Sequence, residues 1–361
     1  MILNGILFDV IAFLIVLSII VLIHEFGHFI VAKKLGVKVE KFSLGFGPKL
    51  LGRQVGETEY LVSAIPLGGY VKLLGEDPSE ELPPEDEKRS FARLSPYKRF
   101  LIIFAGPFFN FILAIVIFTI IFMAGRPVLK SVIGGVKKGY PAAAAGLKKG
   151  DVITSVNGVK VKSWGSLSDN IQKFGKNEIV FGIKENNKNF TVRLKPKYVT
   201  LKNIFGKKIN VYLIGISPSK KAVYYKYSNF FSSMYSALEE IWFFIYVTVL
   251  GLFYLISGQV AAGSLLGGPI LIAQFSGKAA SLGISDFFHF IGVISVLVGF
   301  FNLLPIPALD GGHLFFSVIE MIKRKPVSAR IQETATKIGF ALLMLLLLFV
   351  SYNDVLRILK T

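Results

Sequence analysis

The chain has 361 residues, is 53% apolar, carries 33 phenylalanines and has a mean hydropathy of +0.59, which fits a chain that crosses a membrane repeatedly better than two soluble domains. It contains no cysteine, which excludes a disulfide framework, thiolate-bound zinc, iron–sulfur clusters and thiol nucleophiles, and leaves oxygen and nitrogen as ligand atoms. The formal charge of +18 is local: residues 126–226 hold 21 Lys or Arg against four acids, and the remainder holds 20 against 19. No nucleic-acid motif accompanies it, so it reads as the solvated face of one basic domain near anionic headgroups rather than as a nucleic-acid surface.

Residues 6–23 form the first apolar run, close to the ~20 residues needed to span a hydrocarbon core. Asp9 is its one charge and no small-residue cleavage site follows, so the run is expected to persist as a helix rather than to be removed. At its inner end His24-Glu25-Phe26-Gly27-His28 reads H-E-x-x-H. Helical i, i+4 spacing puts both imidazoles on one face, where they can share a zinc ion, with Glu25 beside them as a base for water. The pattern alone also occurs by chance in ordinary helices. Three ionisable side chains in an apolar segment, however, each cost roughly 2.5–3.5 kcal/mol against lipid and so require partners, which a metal ion supplies.

Lys33, Lys34, Lys38, Lys41, Lys49 and Arg53 follow and mark a cytoplasmic loop. Residues 58–74 alternate in polarity around a break at Pro66 to Gly69 and read as a hairpin after the metal helix. An exposed strand edge there would hold a substrate segment extended, and a purely structural hairpin over the cytoplasmic mouth explains the pattern equally well. Residues 76–87 pack seven acids and three prolines together and read as a flexible loop. The second apolar run, 100–124, is uncharged, interrupted by Gly106-Pro107, and carries Asn110.

Residues 126–226, rich in glycine and lysine with short alternating runs, read as a soluble β-rich domain. Runs at 241–257, 287–304 and 338–351 complete the inventory. Lys323, Arg324, Lys325 and Arg330 make a second cytoplasmic loop, which places 126–226 outside. Parity then disfavours a crossing by 241–257, which is expected to lie at the outer interface. Residues 302–312 combine Pro305, Pro307, Gly311 and Gly312 around Asp310, so regular helix is impossible there. Broken backbone at membrane depth suits a cavity wall, where a carboxylate completes a two-histidine site; by itself Asp310 reads rather as a cap of the next helix, and it is the pairing with His24 and His28 that favours the ligand role.

His24-Glu25-x-x-His28 on a first membrane helix, Asn302-x-x-Pro305-x-Pro307-x-x-Asp310-Gly311 on a late one, and an extracytoplasmic domain between them resemble the site-2 proteases, in particular the regulator-of-sigma-E protease group. Gly45-Phe46-Gly47-Pro48, Ile65-Pro66-Leu67-Gly68-Gly69-Tyr70, Gly106-Pro107-x-x-Asn110 and Gly268-Pro269 agree with it. The resemblance implies zinc-dependent cleavage of transmembrane substrate segments, with Asp310 as third ligand and Asn302, Gly68, Gly69 and Asn110 near the site or the substrate. Gly146-Leu147-Lys148-Lys149-Gly150-Asp151-Val152-Ile153-Thr154-Ser155-Val156-Asn157-Gly158 is similar to the G-L-x-x-G-D-x-I-x-x-V-N-G stretch of PDZ domains. Relatives often carry two such domains in tandem, and one is apparent here, over about 128–196.

The expected fold is thus an α-helical polytopic membrane protein with four transmembrane helices and an interfacial helix, a membrane-associated β-hairpin and an inserted extracytoplasmic PDZ domain. Its expected divisions are 1–125, the PDZ domain at 126–200, a linker with interfacial helices at 201–285, and a C-terminal membrane domain at 286–361. The expected function is intramembrane endoproteolysis in the bacterial inner membrane, with Zn2+ held by His24, His28 and Asp310, Glu25 as base, and the site near the cytoplasmic side. The expected partners are single-span membrane protein substrates such as an anti-sigma factor or a remnant signal peptide, the lipid bilayer, and peptide termini or periplasmic factors at the PDZ domain; nucleic acid is not among them. The alternatives are a metal transporter, which should show repeated broken helices that are not found, and an inactive PDZ scaffold, which has no need of Glu25. A membrane-anchored protease with a soluble site would not place its metal helix in the first apolar run. His289 reads as a packed or interfacial histidine, and His313 as a helix-start residue.

Overall fold

The computed structural model describes residues 2–76, 86–185, 188–203, 206–260, 263 and 267–359. The acidic loop expected at 76–87 falls, for residues 77–85, outside them. Two compact units emerge: Met1–Ile120, Phe231–Leu252 and Ala262–Thr361 form the first, and Ile121–Phe230 with Phe253–Ala261 the second.

The first unit is helical. Helix α1 (Ile2–Lys34) leads into a hairpin of β1 (Val39–Val55) and β2 (Thr58–Leu73), and two short 3-10 turns at Glu87–Arg89 and Phe91–Arg93 precede α2 (Pro96–Ala124). The hairpin differs from expectation. Residues 58–73 are a single bent strand whose partner is the preceding 39–55, because Gly45 and Gly47 take positive φ and Gly68 does the same on the other strand, so both strands fold over at the same level. Residues 39–44 accordingly pair with 69–73 and also with 59–62, whereas 49–55 pair with 58–63. The hairpin is pinned to the end of α1 by Phe29, Ala32, Val37, Val39, Leu73 and Ile102, with Phe42, Tyr60 and Val71 packed against them. That cluster aims the 69–73 strand at the H-E-x-x-H turn.

After the second unit the chain returns as α5 (Phe230–Ile256), α6 (Pro269–Leu282), α7 (Ile284–Asn302), α8 (Asp310–Lys323) and α9 (Ala329–Leu359). Helix α6 runs against α1, where Gly277 leaves room for Asp9. Its start is capped from α9: the fully buried Asp354 accepts from the backbone N–H of Gly268 (3.1 Å) and of Leu271 (3.0 Å). Helices α1, α2, α5, α7 and α9 are long and apolar enough to cross a membrane. They expose leucine, isoleucine and phenylalanine freely, Leu345 and Leu348 at 63% each, as a lipid-facing surface does. At 27 residues α5 has the length of a span and starts 11 residues before the run expected at 241–257.

The second unit opens with the stem strand β3 (Arg126–Leu129), followed by β4 (Ile133–Val136), α3 (Pro141–Ala144), β5 (Val152–Val156), β6 (Val159–Lys160), α4 (Trp164–Phe174), β7 (Ile179–Glu185), β8 (Lys188–Leu194), β9 (Lys197–Lys202), β10 (Lys208–Leu213), β11 (Ile216–Pro218) and β12 (Val223–Lys226). Its sheet order is β6-β5-β7-β8, and Ile133, Ile153, Leu167, Ile179, Phe181 and Ile183 fill the space beneath α4. The unit runs past the boundary drawn at 200: β11 pairs with β4 and β12 with β3, so residues 208–226 are built into it rather than linking it onward.

Candidate metal centre

His24 and His28 stand one turn apart on α1, their rings edge to face at 4.9 Å and their Nε2 atoms 3.3 Å apart. Asp310, the first residue of α8, brings Oδ2 to 2.9 Å from His24 Nε2 and 3.6 Å from His28 Nε2. The turn-cap role open to Asp310 is not what its side chain does. Leu309 takes the cap position and makes no side-chain cap bond, while the Asp310 carboxylate turns toward α1.

Local chemistry explains how α8 reaches that point. Pro305 and Pro307 stop α7, and the chain descends through Ile306 N–H to Leu304 O (2.7 Å) and Leu309 N–H to Ile306 O (2.9 Å). Gly311 and Gly312 then lie directly on the backbone of Leu304, Ile306 and Pro307, where a Cβ has no room. Thr336 and Gly339 of α9 brace the loop from outside, Thr336 Oγ1 donating to Pro307 O at 3.2 Å. The broken segment is therefore packed against the start of α8 and against α9.

The three donor atoms fit a cation. Zinc bonds of ~2.0–2.1 Å at tetrahedral angles put ligand atoms roughly 3.3 Å apart. The measured separations bracket that value, and His24, His28 and Asp310 form the one group of three such donors found among the described residues. Asp310 Oδ2 is buried yet makes no hydrogen bond of acceptable direction, which is costly for a carboxylate unless a cation sits before it. Gly106 of α2 supplies the space. A Cβ there would collide with the His28 ring and approach His24 Nε2 to 2.9 Å, so the missing side chain is what keeps the imidazole nitrogens open.

The outward nitrogens of both rings are held by α2. His28 Nδ1 lies 2.8 Å from the Ile102 carbonyl, an acceptor that requires the proton on Nδ1 and leaves Nε2 as the ligand atom. His24 Nδ1 lies 3.0 Å from the side-chain amide of the fully buried Asn110. With Nδ2 turned toward the ring, Asn110 Oδ1 is left buried and unbonded. A half-turn of the amide gives Oδ1 the Nδ1–H that ligation through Nε2 demands. Ser295 of α7 fixes that stretch of α2 by donating to the Asn110 carbonyl at 2.8 Å. Farther along, Arg99 of α2 donates from Nη2 to both carboxylate oxygens of Glu320 of α8 at 2.6 Å, tying the Asp310 helix to the Gly106 helix.

Glu25 is half-buried and borders the hairpin: a Cβ on Gly69 would sit 3.6 Å from Glu25 Cγ, and the Val71 backbone bonds the carboxylate. Residues 69–73 pair with 39–44 on one side, and their other edge has no strand partner among the described residues. Gly68 lies farther along, against the Phe46 ring. Asn302, expected near the site, donates Nδ2 to Val298 O one turn back (3.1 Å), so that bond keeps it in the end of α7. His289 sits 3.3 Å from Glu240, beside the Phe118 ring, as a packed histidine. His313 occupies the first turn of α8.

Residues 12–346 match the profile described as Peptidase family M50. A Campylobacter jejuni protein provisionally named a zinc metalloprotease is 38% identical over 350 residues, covering 97% of this chain and 94% of its own. Similarly named proteins of Brucella suis, 36% identical over 362 residues (96% of this chain, 94% of theirs), and of Clostridium acetobutylicum, 37% over 348 residues (96% and 97%), align as fully. The PDZ domain of an SdrC-like protein of Listeria monocytogenes aligns at 26% identity over 25% of this chain and 87% of its own, at a TM-score of 0.20, too low to assign a fold.

Proposed function

The chain belongs to peptidase family M50 and is a zinc metalloprotease by that membership, and from that premise we propose that it hydrolyses peptide bonds within or beside the transmembrane segments of other membrane proteins. The observation that carries this reading is the meeting of His24, His28 and Asp310 on helices of the membrane-capable unit, with Glu25 on the same turn. His24, His28 and Asp310 would hold the zinc ion, which when bound supplies Lewis acidity toward a carbonyl and toward water. Glu25 receives the proton of the attacking water and later delivers it to the leaving amine. Asn110 and the Ile102 carbonyl hold the two imidazoles in the tautomer that presents Nε2.

A helical substrate hides its carbonyls in its own hydrogen bonds, so cleavage needs a locally extended segment. The 69–73 strand, which has no strand partner on its Glu25 side among the described residues, would bind one by strand addition in exchange for its bonds to the Glu25 and Glu76 carboxylates, with Gly69 giving the close approach. The basic loops after α1 and α8 favour a multi-pass arrangement in a bacterial inner membrane, with the centre near the cytoplasmic face and the second unit, read as a PDZ domain, outside. In that arrangement α5 lies at the outer interface, and single-span proteins such as anti-sigma factors or remnant signal peptides are the substrates. The scaffold alternative leaves Glu25 without a task, and the transporter alternative gives it only a charge to balance.

The test compares wild type with Glu25→Gln for zinc content and for cleavage of a single-span reporter in detergent. Equal zinc with cleavage only by the wild type is expected. Equal cleavage by both, or none by zinc-loaded wild type across several reporters, would overturn the reading.

A further inference from the structure

The second unit is joined to the membrane-capable helices α2 and α5 through a two-stranded stem. Helix α2 ends at Ala124 and β3 begins at Arg126; β12 ends at Lys226 and α5 begins at Phe230; the two strands pair from Arg126↔Lys226 up to Leu129↔Val223. Strand alternation sorts the stem into two faces. Val223, Tyr225 and Tyr227 share one face and are exposed, Tyr225 at 59% and Tyr227 at 69%. Arg126, Lys226, Val128, Tyr224 and Lys130 share the other. Aromatic and cationic side chains at the end of an apolar helix are the residues that favour the headgroup layer.

The cationic face opens into a depression of about 530 Å3 whose lining residues include Lys130, Lys160, Lys162, Tyr224, Ser131 and Ser155. Pairing draws these residues together: Lys130 bridges Ser163, next to Lys162, and Lys160 pairs with Ser155. No carboxylate lines the depression. Asp151 is turned inward to accept the Lys148 backbone N–H (2.8 Å), and Glu185 pairs with Lys148 at 3.3 Å. Beyond it the chain from residue 186 to 238 carries ten Lys or Arg and no acid, so nothing in that stretch neutralises the site. Tyr224 is two residues above the stem base, on the order of 7 Å at ~3.3 Å per residue, within headgroup reach of the helix ends.

We propose that this depression binds the phosphodiester headgroup of an anionic phospholipid of the adjoining leaflet, the three lysines taking the phosphate and the serine and tyrosine hydroxyls the glycerol. Lysine suits the phosphate as a mobile point charge, and the stem keeps the site at the lipid surface. A bound headgroup then anchors the second unit at a fixed height over the membrane.

The test uses the full chain in detergent, titrated with dioctanoyl phosphatidylglycerol, dioctanoyl phosphatidylcholine or inorganic phosphate, and reads hydrogen-exchange protection at 128–132 and 158–163. Saturable protection by phosphatidylglycerol is expected, weakened about tenfold or more in the K130Q/K160Q/K162Q variant and unchanged in K188Q/K195Q/K197Q, which removes equal charge elsewhere on the unit. Unaltered exchange in the other peptides shows that both variants are folded. Equal protection by phosphatidylcholine, or retention of binding in the K130Q/K160Q/K162Q variant, would overturn the proposal. Inorganic phosphate binding as tightly as the lipid would identify a soluble anion site instead and overturn the lipid assignment.

Discussion

The two compact units achieve order by opposite means. The second is filled by branched and aromatic side chains, Ile153, Ile179, Phe181 and Ile183 among them at 1% exposure or less, with Ser131 and Asp151 as its buried polar side chains among the described residues. The first, around the metal centre, is organised by what is missing: Gly27, Gly311 and Gly312 let backbones touch, Gly106 clears space for the two imidazoles, and buried polar groups are paired across helices. Lipid tails are as apolar as leucine, so burying leucine holds membrane helices together only weakly, and close backbone contact with interhelical hydrogen bonds takes over. In the second unit removing a methyl should hurt, and at the metal centre adding one should.

The largest effect is expected for Asp310→Ala, which removes a ligand; zinc content by atomic absorption and reporter cleavage should both fall to background while the second unit keeps its thermal transition. Ile153→Ala should do the converse, destabilising the second unit by ~2–5 kcal/mol through the cavity left, read as a lower denaturation midpoint with zinc content unchanged. Gly106→Ala tests the contrast most sharply. Alanine favours helix over glycine by about 1 kcal/mol, so loss of zinc in this variant would come from the collision with His28 and His24, at an overpacking cost of ~1–3 kcal/mol. Asn110→Leu should weaken zinc affinity by roughly 10–100-fold in a chelator competition, the effect of losing a group that orients a ligand. The smallest change is expected for Asp354→Ala, where loss of the α6 cap should cost ~0.5–2 kcal/mol, visible as faster exchange at 268–272 with zinc retained.

The same contrast explains what was legible in the sequence. His24, Glu25, His28 and Asp310 declared themselves because charge is conspicuous in apolar runs and helical spacing fixes its geometry. Of the groups that orient the ligands, Asn110 came only through the family resemblance, as a residue near the site and without this role, and the Ile102 carbonyl not at all: they lie 86 and 74 positions from the histidines they serve, and a carbonyl belongs to every residue. Gly106 stood out as an interruption of the second run, but its purpose is visible only against His28. Residues 39–55 went unread as a strand because Gly45, Gly47 and Pro48 interrupt their alternation, although those residues make the fold-over that brings 69–73 to Glu25. Residues 208–226 looked like a linker because β11 and β12 are three and four residues long, too short for a periodic signal without their partners β4 and β3.

The central claim is that the chain cleaves inside an apolar segment, with Glu25 as base and His24, His28 and Asp310 as ligands. The most direct test reconstitutes wild type and Glu25→Gln with a single-span substrate in vesicles and determines the new termini by mass spectrometry. The account requires a zinc-dependent cut within or immediately beside the apolar span, absent with Glu25→Gln. A cut confined to the distant soluble flanks, or one that survives zinc removal or the Gln substitution, would contradict it.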